Sequence, residues 1–313
     1  MSATIPARRQ RTTSPPSRRL AGGRPAGRGT GTDRRSNTLT LGMIALLVYF
    51  LLPLFWLVVA ATKTTGDLFS TFGLWLGNDF SLFSNIGATF TYDGGVYTRW
   101  LLNTLIYSVV SAGGAALLCA LGGYGFAKYR FAGDRVMFGM VLGSVMVPTT
   151  ALAIPTYLLF SRVGLVNTPL AIILPSLVSP FGLYLMRVYA QDAIPDSILE
   201  AARIDGAGEF RIFFQVALRS LAPGLVTVLL FTLVATWNNY FLPLIMLNDP
   251  NLYPITVGLS SWSSQAVGGS GSNADLLALV VTGSLLSVIP LIAAFLLLQR
   301  FWQSGLTAGG VKE

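Results

Sequence analysis

The sequence predicts an all-α membrane protein with six transmembrane helices, and three observations carry that reading. The chain has 313 residues, 53% hydrophobic and only 11% charged, where a soluble domain is about 25% charged. The apolar residues gather in six long runs, each near or above the roughly 20 residues needed to cross a bilayer. The segments between the runs split sharply in charge. One alternate set carries 18 Lys and Arg, the other carries 3, the asymmetry of a positive-inside topology. Six spans place both termini on one side, and the charge places that side in the cytoplasm.

Residues 1–38 hold nine arginines amid Pro, Ser, Thr and Gly. Such a segment cannot bury a core and is expected to be a disordered, Arg-rich cytoplasmic tail. The first run, 39–61, is longer than the roughly 7–15 residues of a signal-peptide core and reads as an uncleaved span. The second, 101–127, contains Gly113, Gly114, Gly122 and Gly123, which suit close helix packing in lipid. The third, 136–160, carries Pro148 and Pro155. The fourth, 169–186, carries Pro175 and Pro180. The fifth, 221–247, carries Pro243, and the sixth, 276–299, carries Pro290. These prolines predict kinks, tolerable where neighbouring helices satisfy the freed carbonyls. The spans make a domain of residues 39–299, followed by a cytoplasmic tail, 300–313. Of the outer segments, 63–100 is aromatic and is expected to form short interfacial helices. Segment 248–275, rich in Gly and Ser with Trp262 at its middle, reads from composition as a flexible connector.

Much chemistry is excluded. Histidine is absent, which removes the commonest general base and metal ligand. The single cysteine, Cys119, excludes a disulfide framework or a Cys metal cluster. No P-loop occurs, so any ATP hydrolysis belongs to another polypeptide. No Asp or Glu lies within the six runs, which disfavours a proton relay. The basic tail lacks aromatics, which argues against nucleic-acid binding. No catalytic residue, metal site or cofactor is predicted.

Segment 195–223 is a polar island between the fourth and fifth runs. Ser197 and Glu200 have capping-box spacing, which predicts a helix from Ser197. Gly206 can take the left-handed turn that ends it, and a second helix follows from near Gly208. Phe210, Phe213, Phe214 and Ala217 fall on one apolar stripe of that helix. Taken alone, these features could serve only the local fold. In register, however, Glu200, Ala201, Ala202, Asp205, Gly206, Ala207, Phe213, Val216, Leu218 and Pro223 resemble the EAA loop of membrane permease subunits of binding-protein-dependent ATP-binding-cassette (ABC) importers, most nearly the carbohydrate-uptake, maltose-type group. One departure is Arg219, where these permeases usually carry a proline. The likeness covers residues from about 39 to 313 and includes a short Gly/Ala-rich match at 305–312.

The resemblance implies a permease in a bacterial inner membrane, with membrane lipid around it. Its partners would be an ABC ATPase dimer, a second homologous permease subunit and an extracytoplasmic solute-binding protein received by the outer loops. It implies that Glu200, Ala201, Ala202, Asp205, Gly206, Ala207, Phe210, Phe213 and Pro223 couple the chain to the ATPase. Within the fifth run, Asn238, Asn239 and Tyr240 beside Trp237 suit a path for a neutral polyol, since amides bond hydroxyls and rings stack on sugar faces. Interhelical hydrogen bonding would use the same residues. Asn103, Thr104, Thr149 and Thr150 are further polar residues in the runs. Import of a sugar or oligosaccharide is the expected function. A non-sugar ABC permease and an ion-coupled secondary transporter are the alternatives. Reporter fusions after residues 90 and 265 should report outside, and those after 131, 207 and 310 inside; an outside signal at 207 would contradict the topology.

Overall fold

The computed structural model describes residues 37–268 and 275–308. Residues 1–36 of the predicted Arg-rich tail and residues 309–313 of the C-terminal tail lie outside the described residues. The chain divides into two units at Tyr49 and Phe50. Among the described residues, the first contributes only 37–49, an apolar stretch of helix α1 (Asn37–Ala61). The second unit, from Phe50 onward, holds every other element.

Four helical stretches are long and apolar enough to cross a membrane: Asn37–Ala61, Leu82–Lys128, Leu170–Ala193 and Leu276–Gln299. A fifth is a bent pair, Glu209–Ser220 and Ala222–Trp237, turned by 80°. The second stretch joins α3 (Leu82–Thr91) to α4 (Val96–Lys128) through a tight turn; short α2 (Thr65–Ser70) precedes them. Two short helices therefore do occupy segment 63–100. Lys63, only 1% exposed, holds the end of α2 by donating to Thr71 Oγ1 and the Phe72 carbonyl, both at 2.9 Å, and its own carbonyl accepts from Asn85 Nδ2 of α3 at 2.9 Å.

The predicted third span is not one helix. It splits into α5 (Asp134–Ser144) and α6 (Ala153–Arg162). Pro148 accounts for the break: its ring would meet the carbonyl of the residue four before it, Ser144, and that is where α5 stops. Pro155 lies in the first turn of α6, where a missing N–H costs little. The fourth run likewise breaks at 177–179 into α7 (Leu170–Ser176) and α8 (Pro180–Ala193). Ser179 caps α8 by accepting from the Gly182 N–H. In the fifth run, α12 (Ala222–Trp237) ends before residues 238–240, and α13 (Phe241–Met246) follows. Pro243 forbids a helical bond to the carbonyl of Asn239, which accepts from Thr256 Oγ1 at 2.8 Å instead. Asn238, Asn239 and Tyr240 thus sit in a break rather than within a helix. Between these runs lie α9 (Asp196–Ile204), α10 (Glu209–Ile212) and α11 (Leu218–Ser220). Helix α14 (Ile255–Gly268) and the long α15 (Leu276–Ala308) follow α13.

Helix α4 is the central strut. Ala112, Ala115, Ala116, Cys119, Ala120 and Gly123 are buried along one face, at the spacing of a helical stripe. A Cβ on Gly123 would lie 2.6 Å from Met186 Cβ and 2.7 Å from the Arg187 nitrogen, so α4 and α8 meet backbone to backbone. Gly114 lies against Leu177, whereas Gly113 has open space. Only part of the predicted small-residue run is therefore used for packing.

The other end of α4 meets an aromatic cluster. Trp262 of α14 is 2% exposed, with ring centroids 4.9 Å from Trp100 and 5.3 Å from Tyr92. Trp100 donates from Nε1 to the Pro250 carbonyl at 2.8 Å, and a Cβ on Gly258 would lie 2.2 Å from the Trp100 ring. The expected flexible connector is therefore, over Ile255–Gly268, a helix locked onto aromatics. Gly258 is the small residue that lets Trp100 approach. Gly123→Val should lower the detergent-solubilised melting temperature, since overpacking a close helix contact costs about 1–3 kcal/mol. Gly113→Val should leave it nearly unchanged; equal effects would contradict the packing described.

Candidate functional site

Segment 195–223 folds as a helical hairpin with a glycine at its tip. Helix α9 begins at Asp196, after an extended Pro195 that makes no side-chain cap. The expected capping box between Ser197 and Glu200 is not formed, because Ser197 lies inside the helix and Glu200 is exposed. The helix ends as predicted. Gly206 has φ +79°, its N–H bonds the Arg203 carbonyl, and the Ala207 N–H bonds the Ala202 carbonyl, both at 3.0 Å. This pattern closes a helix through a left-handed residue. A Cβ at Gly206 would touch nothing, so the conformation, not space, requires glycine there.

The second helix starts after Gly208, as expected, but its apolar stripe does not survive. Residues Phe213–Ala217 form a π-helical turn between α10 and α11. The extra residue in that turn rotates the register. Phe213 and Ala217 are buried at 3% and 0% exposure, while Phe210 is 80% exposed and Phe214 half-exposed. The buried set, joined by Leu199, Ile212 and Leu221, packs on Tyr124, Met186 and Ala190 of α4 and α8. Leu221 is the elbow of the 80° bend, and Pro223 opens the first turn of α12. The hairpin's outer surface presents Glu200, Ala201, Asp205 and Gly206 beside exposed Ile204 and Phe210, with Ala202 and Ala207 half-buried at its base.

Polar ties missed by the sequence reading hold this hairpin. Lys128 Nζ donates to Asp196 Oδ1 at 2.8 Å. Arg203 Nε donates to Glu209 Oε1 at 2.8 Å, and the Tyr129 hydroxyl donates to Glu209 Oε2. The Lys128 ammonium holds the Asp196 carboxyl below its ordinary range. Hydrogen bonds from Arg203 first, then Tyr129, do the same for Glu209. Burial, then the Glu209 bond, raises the Tyr129 phenol. The available signal was an acid at the first position of each hairpin helix, with Lys128 and Tyr129 in the short segment after the second run.

A cleft of about 350 Å³ lies between the break at 177–179 and the one at 238–240. It is lined by Ser176, Ser179, Phe181, Phe231, Thr236 and Asn239 among others. Of the three expected path residues, only Asn239 lines it. Asn238 Nδ2 turns back to the Val234 carbonyl at 2.9 Å, and the Tyr240 hydroxyl meets Ser260 Oγ at 3.1 Å. Asn103 bonds the carbonyls of Asn251 and Tyr253, and Thr104 accepts from the Ile255 N–H. Both hold the segment around α14 to α4. Thr149 and Thr150 are exposed in the break between α5 and α6.

Comparison with known proteins adds three findings. A family model described as "binding-protein-dependent transport system inner membrane component" matches residues 112–306. The chain is 33% identical to the arabinooligosaccharides transport system permease protein AraQ of Bacillus subtilis (strain 168), covering 88% of this chain and 95% of that protein. It is 30% identical to the lactose transport system permease protein LacG of Rhizobium radiobacter, covering 87% and 94%. A chain in the crystal structure of a bacterial ABC transporter involved in the import of the acidic polysaccharide alginate shares the fold. The TM-score is 0.71 at 23% identity, over 85% of this chain and 95% of that one.

Gly206→Ala should loosen the hairpin, because a left-handed non-glycine residue costs about 1–2 kcal/mol. Amide exchange at residues 206 and 207 should quicken by roughly 5- to 30-fold on that scale. Unchanged exchange would contradict the glycine's conformational role.

Proposed function

The chain belongs to the family of binding-protein-dependent transport system inner membrane components, and on that premise we propose how its parts divide the work. It is a multi-pass permease component of an ABC importer, a transport subunit rather than an enzyme. Hydrolysis of ATP belongs to a separate ATPase, and the solute arrives on a binding protein. In our reading the chain crosses the membrane six times, with the α5–α6 pair as a broken third span. Both termini and the hairpin lie in the cytoplasm, as the charge split favours. A second, homologous permease and an ATPase dimer complete the complex.

The solute is a sugar or oligosaccharide. The named relatives transport arabino-oligosaccharides and lactose. The observation that carries the reading on this chain is the cleft at the paired helix breaks. Its lining combines hydroxyls, one amide and two phenyl rings with the aliphatic Val178 and Ala235, and holds no charged group, a chemistry suited to neutral polyols. Asn239 is the residue that meets solute, and the adjacent Asn238 and Tyr240 hold the break open beside it. Coupling to the ATPase runs through the hairpin. Glu200, Ala201, Ala202, Asp205, Gly206, Ala207 and Phe210 form its contact surface, with Ile204 added by its exposure. Phe213 roots the hairpin in the core, and Pro223 starts the helix that leads to the cleft.

The test is uptake of a labelled oligosaccharide by the complete complex in proteoliposomes. Asn239→Ala should cut uptake at least fivefold at equal complex abundance, in line with the roughly 1–3 kcal/mol lost when a buried polar partner is removed. Unlabelled sugars should compete, and charged solutes should not. Unchanged uptake would remove Asn239 from the path, and competition by an anion alone would overturn the sugar assignment.

A further inference from the structure

The short segment that follows α4 does not act alone. Lys128 lies in the last turn of α4, and Tyr129 is its C-terminal cap. These two adjacent residues grip both helices of the hairpin, each at its first residue: Lys128 holds Asp196 and Tyr129 holds Glu209. Arg203, in the last turn of α9, closes the hairpin across its mouth onto the same Glu209. The two pairs are matched in placement. An acid at the start of a helix already faces the positive end of its dipole, so each carboxylate is oriented from one side by its helix and from the other by α4. Lys128 is 7% exposed along its side chain, packed as a fixed post, while Asp196 is 77% exposed.

Exposed ion pairs contribute little to stability, so these ties matter more for geometry than for the strength of the fold. Below them, Tyr124 of α4 packs its ring on Phe213 at 5.4 Å between centroids. The hairpin therefore meets α4 through these polar ties and this aromatic contact, besides its covalent routes into α8 through Ile194 and Pro195 and into α12 through the elbow at Leu221. What lies at the other end of this contact decides its use. About 21 Å along α4 from Lys128, taking 1.5 Å per residue, Gly114 meets Leu177 in the break beside the cleft. Nearer, Cys119 Sγ donates to the carbonyl of Ser179, a cleft residue, at 3.4 Å. Helix α4 thus runs unbroken from the hairpin to the fourth-run side of the cleft, while α12 runs to the fifth-run side.

We propose that Lys128 and Tyr129 are positioning residues that tie the hairpin to α4, so that its displacement moves both walls of the cleft together. This rests on the reading of the hairpin as the ATPase contact and adds to it a second line of transmission. With the ties cut, the hairpin would still drive α12 through the elbow and α8 through Ile194 and Pro195, but α4, packed between the two walls, would lag and their movements would no longer be matched.

The experiment measures solute moved per ATP hydrolysed by the full complex in proteoliposomes. Lys128→Met with Tyr129→Phe should lower that ratio at least threefold. Lys128→Asp should lower it too, and adding Asp196→Lys should recover most of the loss, a rescue that a merely structural lysine would not show. Phe210→Ser, at an exposed hairpin residue whose side chain takes part in none of the ties, is run in parallel. If the tie variants keep the wild-type ratio while Phe210→Ser lowers it, the second line of transmission is wrong and the coupling surface stands. If neither changes the ratio, the coupling reading itself is wrong. A loss that the charge swap does not recover counts against the Lys128–Asp196 pair. Should the double variant fail to assemble, Tyr129→Phe alone, which keeps the ring and removes only the hydroxyl, is read against the same threefold criterion.

Discussion

The approach of α4 to α8 at Gly123 sets the position of everything else in the described body. Only hydrogen at that Cα lets two backbones meet, and that contact fixes the angle at which α8 leaves α4. The same closeness recurs where a Cβ on Gly182 would lie 2.9 Å from Cys119 Sγ and from Val228 of α12. Three helices therefore share one seam of small residues, meeting backbone to backbone at Gly123 and through short side chains at Gly182, as suits helices that cannot rely on the hydrophobic effect against each other in lipid. The hairpin is seated at one end of this seam by Tyr124 and Ala190, and the aromatic cluster around Trp262 closes the other.

Prolines give the seam its function. A proline breaks a helix near the residue four before it, and the chain uses that rule at Pro148 and Pro243. The break before Pro243 frees the Asn239 carbonyl for Thr256 and brings Asn239 to the cleft. The break at 177–179 brings Ser179 to the opposite wall. An unbroken pair of helices would present only side chains to a solute. Paired breaks present side chains and leave backbone groups that must find partners, and those partners come from α14 and α4.

Much of this was legible in the sequence. Long apolar runs marked α1, α4 and α15, because an uninterrupted run in lipid has no alternative to a helix. Gly206 announced its left-handed turn, since it closed a helical stretch and preceded a second start. The failures have physical causes. Proline was read as a kink, yet Pro148 ended a helix because Thr149 and Thr150 left no strong helical propensity to bridge it. The Phe210–Ala217 stripe assumed 3.6 residues per turn, and one π-helical turn moved Phe210 outward. Ser197 and Glu200 matched a capping box, but with Pro195 as the N-cap the helix begins at Asp196, one residue sooner. Asn238 and Tyr240 matched a sugar path in composition, whereas Asn238 bonds back to Val234 four residues earlier and Tyr240 meets Ser260 across a turn of the chain that spacing cannot reveal. The ties from Lys128 and Tyr129 span about 70 to 80 residues in sequence and were invisible for the same reason.

The central claim is that the exposed face of the hairpin is where ATP-driven movement enters this chain. With Cys119 replaced by serine, Ala202→Cys at the base of the hairpin should cross-link to the ATPase subunit in the assembled complex. The yield should change between the nucleotide-free and ATP-bound states. Cross-linking only within the chain, or to no position on the ATPase across a panel of partner cysteines, would contradict the account.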